Sequence, residues 1–569
     1  MNIVKDKEAR ASFSSLYIDY FNDLCYNIRT SKIREMAMKG RFKTYLINII
    51  FPAFVFGSVT GILTSLVVTF YKLCAGYIID ISHSGYEYVK EHPYLIPVVL
   101  FVFAGLSVAF AFIYKTTHNL KGGGIPTSIG ILRGIITFKW LRNLVGIFFL
   151  SLTSFLIGVP LGNEGPSVQM GTAIGRGTVY TCAKKHKAWD RYSMTGGACS
   201  GFAVATGAPI SGILFAIEEA HQRISPMIVM VSATSVMFAD ITAEILSPLL
   251  GVSVSLFPQL DLVKLQLKHI WIPIVVGLMV GLFAVAFLYY YKYINAFFNK
   301  KLKKVHRAIK IFAVFALTFV FGLFSSSFIS TGHHLIVSLL EGKTALYMLI
   351  LILLVRSTLT LSANTNKLTG GMFIPLLALG VVSSSIIAGI IDGIFGLEQE
   401  YYVIIVVFGL VACISSMMKM PLTAIVFAVE ALGCYDNIPY IIVVVSVSFV
   451  ITEIFGAKSI NDTVLETKIE EINEKMKIKV IDTFVVVEKG AFAIGKQIRD
   501  IFWPANLFVL SVKHDETKKA EVDEHGGKEL REGDTLHVRY STFDEIETRE
   551  ELIAIVGNQN YDEKEAVEI

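Results

Sequence analysis

The residues best able to do chemistry in this chain are carboxylates set inside apolar stretches. Glu164 stands in Gly162-Asn163-Glu164-Gly165-Pro166, behind an uncharged run from Asn143 to Asn163 and ahead of another from Ser167 to Gly175. An ionisable group at membrane depth costs a few kcal/mol or more, so it ordinarily faces a partner or a water-filled path. The flanking glycines free backbone amides, and Pro166 suits the first turn of a new helix. A helix N-terminus favours an anion through its unpaired N–H groups and partial positive charge. Glu164 could be that anion, could compete with one, or could simply cap a helix at the membrane surface. A second pair, Glu218-Glu219, closes Ala208-Pro209-Ile210-Ser211-Gly212-Ile213-Leu214-Phe215-Ala216-Ile217. Proton transfer and anion binding are the chemistries these groups suit. Hydrolytic or metal chemistry is not supported: there is no HExxH, and His333-His334 are adjacent and point to different helix faces. The six cysteines form no CxxC pair. No cofactor and no metal is expected.

Such carboxylates need a membrane scaffold, and the composition supplies one. Of 569 residues 53% are hydrophobic and 17% charged, and the mean hydropathy is +0.59, whereas a soluble chain carries roughly a quarter charged residues. Uncharged runs at Thr44–Tyr71, Pro93–Tyr114, Ile270–Tyr291 and Ile311–Gly332 reach the ~20 residues a spanning helix needs. This reads as a multi-pass membrane protein with no signal peptide. Seven Lys/Arg and no acid lie between Lys292 and Lys310, and Lys184, Lys185, Lys187 and Arg191 cluster in another loop. The loop around Asp80, Glu87 and Glu91 is acidic by contrast, and the positive-inside rule places the basic loops and both termini in the cytoplasm. A nucleic-acid role is the poorer reading, because each basic run flanks a hydrophobic span.

Residues 1–43 read as an amphipathic segment on the cytoplasmic face. Thr44–Lys72 and Pro93–Lys115 read as an out-and-back helix pair. From Asn143 to Pro258 the apolar pieces are short and broken by Gly, Pro and Ser, which suits tilted and discontinuous helices. Pro421 to Glu430 then matches Pro209 to Glu218 position by position, and Pro375 to Gly380 shares the spacing of Pro166 to Gly171. Internal repeats of this kind mark transporters whose substrate site lies where broken helices meet. Breaks near 124, 165, 373 and 460 aim four helix N-termini at one centre, an arrangement for a small anion. The membrane domain is expected over 44–475, as two inverted repeats of about 44–250 and 265–475. Beyond it the texture turns soluble. Glu466–Lys479 reads as a charged helix, Phe484–Glu488, Leu507–Val512 and Gly533–Tyr540 as strands, and Gly495–Ile501 as a short helix. This small α/β cytoplasmic domain runs over 476–557, and 558–569 reads as a disordered acidic tail.

Three motifs in order, Gly122-Gly123-Gly124-Ile125-Pro126, Gly162-Asn163-Glu164-Gly165-Pro166 and Gly371-Met372-Phe373-Ile374-Pro375, resemble the signature motifs of the CLC chloride channel and transporter family. The resemblance covers about 30–475. It implies an all-α, inverted-repeat fold and a homodimer with one anion pathway per subunit in the cell membrane. It further implies that Glu164 is the gating glutamate and Glu219 the inner proton-transfer glutamate, while Glu218, repeated as Glu430, is structural. Anion-binding positions implied are Gly123, Gly124 and Ile125, the amides of Asn163 to Gly165, those of Met372 and Phe373, and Asn461. Three positions depart from the family pattern: Gly123 replaces a serine, Asn461 falls where an inner tyrosine is usual, and Asn163 replaces a basic residue. An acid at Glu219 favours chloride/proton exchange over a passive channel or uncoupled carrier, with fluoride/proton exchange a lesser alternative and nitrate open. Residues 480–557 resemble a TrkA-C domain, which implies dimerisation and an unidentified small regulatory ligand.

Overall fold

The computed structural model describes residues 46–568 apart from 118–119, 123, 183, 259, 261, 397–398, 474–478, 515–525, 543–544 and 558–561. The amphipathic segment expected over 1–43 and the anion position expected at Gly123 lie outside the described residues. Helix α1 (Phe51–Glu91) runs 19 residues past the end expected at Lys72 for the first helix of the pair. No proline falls between Pro52 and Pro93 to stop it, and Asp80, His83 and Glu87 share one helical face, so the acidic stretch continues the helix. At 1.5 Å per residue its 41 residues extend roughly 60 Å, far beyond one hydrocarbon thickness. Lys72, read as the edge of a span, therefore sits in the helix interior.

The first half continues through α2 (Ile96–Thr116), α3 (Ile125–Leu132), α4 (Trp140–Ile157), α5 (Glu164–Cys182), α6 (Asp190–Thr206), α7 (Pro209–Phe215) and α8 (Pro226–Leu250). The second half holds α9 (Trp271–Ala296), α10 (Arg307–Phe324), α11 (His333–Glu341), α12 (Leu346–Thr365), α13 (Phe373–Phe395), α14 (Gln399–Met417), α15 (Pro421–Leu432), α16 (Ile438–Ile454) and α17 (Ile460–Asn473). Among the described residues eight helices are long and apolar enough to cross a membrane, so the protein is a multi-pass membrane protein. Short helices such as α3 and α7 are uniformly small or apolar and carry a proline in the first turn (Pro126 and Pro209), which lacks the N–H that a first turn leaves unpaired. Helices α5 and α6 cross with almost no side chain between them. A Cβ at Gly175 would stand 2.6 Å from the Met194 Cα, and one at Gly201 would stand 2.8 Å from the Ser167 carbonyl carbon. Small residues at four-residue spacing let membrane helices meet backbone to backbone.

The two halves clasp one another reciprocally. Glu430 accepts from the amides of Ile210 (2.7 Å) and Ser211 (2.9 Å) and from the Ser211 hydroxyl (2.8 Å). Glu218 does the same for α15, accepting from the amides of Leu422 (2.8 Å) and Thr423 (2.7 Å) and from the Thr423 hydroxyl (2.6 Å). Each carboxylate thus satisfies orphan donors at the start of the other half's short helix.

The carboxy-terminal domain is a four-stranded antiparallel sheet in the order β2-β3-β1-β4, from β1 (Lys479–Val486), β2 (Leu507–Lys513), β3 (Thr535–Thr542) and β4 (Asp562–Glu568), with α18 (Glu545–Val556). Ile481, Val485, Leu536 and Val538 alternate inward and pack with Leu552 and Ile555 of α18. Two expectations change here. Residues 562–568, read as a disordered tail, pair with β1, because a backbone edge accepts a strand whatever its side-chain charge. Within 495–501 only a 3-10 turn, Ile498–Asp500, forms.

Lys496 is the costly residue of this domain. It is 4% exposed, donates to the Phe492 carbonyl and lies 3.8 Å over the Phe492 ring. Burial lowers its pKa from 10.5 to about 8. Because the folded value lies below the unfolded one, the penalty is fully present below pH 8 and fades as pH rises toward 10.5. Lys496→Met in the full chain should stabilise this domain at pH 7 by on the order of 2–3 kcal/mol. Calorimetric unfolding should show that gain shrinking above pH 8; a gain equal at pH 7 and pH 10.5 would rule out burial of the charge as its source.

Candidate anion and proton site

Three glycine-bearing loops converge where α3, α5 and α13 begin. Gly162 and Gly371 exchange both backbone hydrogen bonds at 2.7 Å, a two-residue antiparallel bridge between the halves. A Cβ on Gly165 would lie 2.6 Å from the Gly371 Cα and 3.1 Å from the Gly124 Cα. Any side chain at this crossing would force the loops apart, and Gly124, at φ 114°, also adopts a backbone that L-residues rarely take.

Glu164 opens α5 and is fully buried, which excludes the surface-cap reading. Its carboxylate folds back over the Gly162 Cα, into space that a Cβ there would occupy. Neither oxygen has a hydrogen-bond partner among the described residues; the backbone amides that act on the carboxylate are its own and that of Ile374. The starts of α5 and α13 thus surround one acid with partial positive charge. Helix α13 begins with no side-chain cap, so the amides at Phe373 and the residues just beyond it have no intrahelical acceptor, and Met372 supplies the turn before them. The Phe373 ring meets Phe202 edge-on at 5.1 Å and Phe427 at 5.7 Å, and Phe202 stacks on Phe215. An apolar wall around uncapped amides strengthens any electrostatic interaction made there.

Two expected anion ligands are engaged elsewhere. The Gly124 amide donates to Gln169 Oε1 at 2.6 Å, and Gln169 Nε2 donates to Asn143 Oδ1 at 3.2 Å. Asn461 Nδ2 donates to Glu219 Oε1 at 3.0 Å, joined by the Ser459 hydroxyl at 3.3 Å. Ile125 begins α3 and is buried, while Asn163 is half-buried one residue before the acid.

Glu219 is 2% exposed in a π-helical turn, Ala216–Ala220. Arg133 holds that turn through the carbonyls of Glu219 and Ala220, both at 3.0 Å, while pairing with Asp462 at 3.0 Å. The carboxy-terminal domain reaches the same place. Phe502 packs against the His221 ring at 4.5 Å and the Tyr192 ring at 4.3 Å, and Tyr192 donates its hydroxyl proton to the Asp500 carbonyl at 2.6 Å.

Sequence reading missed Lys72 and Gln169. The ammonium of Lys72 donates to the carbonyls of Val204, Ser253 and Val254 at 3.0, 3.1 and 3.3 Å and acts electrostatically on Glu164. It brings a positive charge toward the acid, next to which Asn163 carries none. Its signal was present as a lysine followed by further helix-compatible residues. Among the described residues no His, Cys, Asp and Glu cluster is arranged to hold a metal ion.

Residues 100–453 match the model of the voltage gated chloride channel family. The chain belongs to that family. It is 26% identical over 432 residues to the H(+)/Cl(-) exchange transporter ClcA of Vibrio vulnificus, a match covering 74% of this chain and 90% of the relative. Its fold is similar to that of a slow cyanobacterial Cl-/H+ antiporter (TM-score 0.65, 23% identity, 74% of this chain and 99% of that one). It is also similar to a CLC-type fluoride/proton antiporter (TM-score 0.58, 19% identity, 71% and 96%). These two neighbours are named for different anions, so the residues at the loop crossing carry the functional argument.

Proposed function

We propose that this chain is a chloride/proton antiporter. The observation that carries the reading is a pair of buried carboxylates: Glu164, without a hydrogen-bond partner among the described residues, amid the helix starts, and Glu219, whose carboxylate accepts from Asn461 and Ser459 while Arg133 holds its backbone carbonyl. Ionised, Glu164 competes with chloride for the amides of Gly165 and of Met372 and Phe373; protonated, it yields that place. Glu219 hands protons toward it from the side where the carboxy-terminal domain docks, which we read as cytoplasmic, with both termini. Family membership and the exchange activity named for the Vibrio vulnificus relative support this assignment.

One observation favours looser coupling. Asn461 spends its amide on Glu219, and glycine replaces serine at 123, so neither position offers a hydroxyl to the anion. Binding then rests on backbone amides, and we expect weaker chloride affinity with nitrate tolerated. The unit is a homodimer in this reading, and its small carboxy-terminal domain is TrkA-C-like. In proteoliposomes under a chloride gradient, with valinomycin setting the voltage, protons should move uphill, and Glu219→Gln should stop them while chloride still flows. Chloride flux without proton movement in the unaltered protein would establish a channel or uncoupled carrier instead.

A further inference from the structure

On the face of the membrane body that carries the carboxy-terminal domain, a cavity of about 400 Å³ lies between the end of α2, the start of α4, the end of α5 and α18. Its floor is Asn143, 2% exposed, whose Nδ2 has no hydrogen-bond partner among the described residues. The orientation of that amide follows from its neighbours. The Gly124 N–H can only donate, so Gln169 must turn its carbonyl oxygen toward it and its NH2 toward Asn143, whose own oxygen then accepts. Asn143 lines the cavity, and its NH2, buried beneath that lining, is the donor left over. The walls add donors. Lys139 and Arg142 are exposed, and the start of the 18-residue α4 has no side-chain cap. Arg176 also lines the cavity, but it is committed to Glu547 at 3.3 Å and Asp190 at 3.5 Å. The one lining carboxylate, Glu547, is thereby neutralised, and the cavity presents a surplus of two cations and a buried amide donor.

Tyr180, 41% exposed, lines the cavity, and Trp140 and Leu141, the latter 56% exposed, lie between its lining residues Lys139 and Arg142 in sequence. Aromatic residues at the end of apolar helices sit at the headgroup level of a bilayer, and basic clefts between membrane helices bind phosphate headgroups. We propose that this cavity binds the phosphate of a phospholipid in the adjoining leaflet, held by Lys139 and Arg142 and accepting from the Asn143 NH2. Through Asn143 and Gln169 the occupant is linked by hydrogen bonds to Gly124, so it bears on the loop crossing at Glu164. Through Arg176 and Glu547 it also adjoins α18.

The test uses the full chain in a neutral detergent, following thermal unfolding during titration with dioctanoyl phosphatidylglycerol. Saturable stabilisation is expected, with a half-maximal concentration at least about tenfold higher in the Lys139→Gln/Arg142→Gln double variant, since charge-assisted hydrogen bonds are the strong ones. Asn143→Asp, which turns the floor into an acceptor, should weaken it similarly. A response to glycerol 3-phosphate equal to that of the lipid would support the phosphate site and identify a soluble ester as sufficient; a response to the lipid alone would identify the bilayer as the source. No saturable response, an equal response to dioctanoylglycerol, or a titration unchanged in the double variant would overturn the proposal.

Discussion

Glu164→Gln is expected to abolish proton transport while chloride continues to flow. The carboxylate is buried at the start of α5, has no hydrogen-bond partner among the described residues and lies against the Gly162 Cα. A glutamine fills nearly the same volume, so the crossing of Gly162, Gly165 and Gly371 should keep its geometry. What is lost is the ability to take and release a proton and to present negative charge to the amides at Phe373 and Ile374. Loss of a positioned acid–base group commonly costs 100-fold or more, and proton flux should fall by roughly that factor. Simultaneous pH and chloride recordings from proteoliposomes provide the check. Proton movement coupled at the original ratio in the Gln variant would remove Glu164 from the mechanism.

Removing the reciprocal caps is expected to give the largest stability loss. Glu218→Ala strips acceptors from two amides and a hydroxyl at the start of α15, and Glu430→Ala does the same at α7. Loss of an N-cap acceptor costs about 0.5–2 kcal/mol and stranding buried donors about 1–3. Each single variant should therefore lose on the order of 2–4 kcal/mol, read as a drop of several degrees in detergent. The double variant should lose more than either. Glu218→Gln retains one carbonyl acceptor and should recover part of the stability with proton coupling intact, unlike the same change at Glu219. An unchanged unfolding temperature in both alanine variants would show that the clasp contributes nothing.

Much of this protein was legible before any coordinates. Long uncharged runs can only be membrane helices, because backbone polar groups in lipid must be satisfied within the segment. Glycine–proline breaks fell where helices begin, since those residues free amides and set φ locally. Glu164 stood out because a charge within an apolar run has few other uses. Two kinds of feature depended on tertiary structure. Helix continuity was one: Lys72 looked like the end of a span, and only the unbroken run of α1 to Glu91 carries it into the membrane body toward Glu164. Partner choice was the other. Residue type shows that an amide can donate, not to which acceptor. Gly124 therefore looked free for an anion but donates to Gln169, and Asn461 turned to Glu219. Likewise the acidic residues 562–568 showed no apolar alternation, yet their backbone completes the edge of the sheet beside β1. Local chemistry is written in consecutive residues, whereas hydrogen-bond pairing depends on distances that only the packed chain sets.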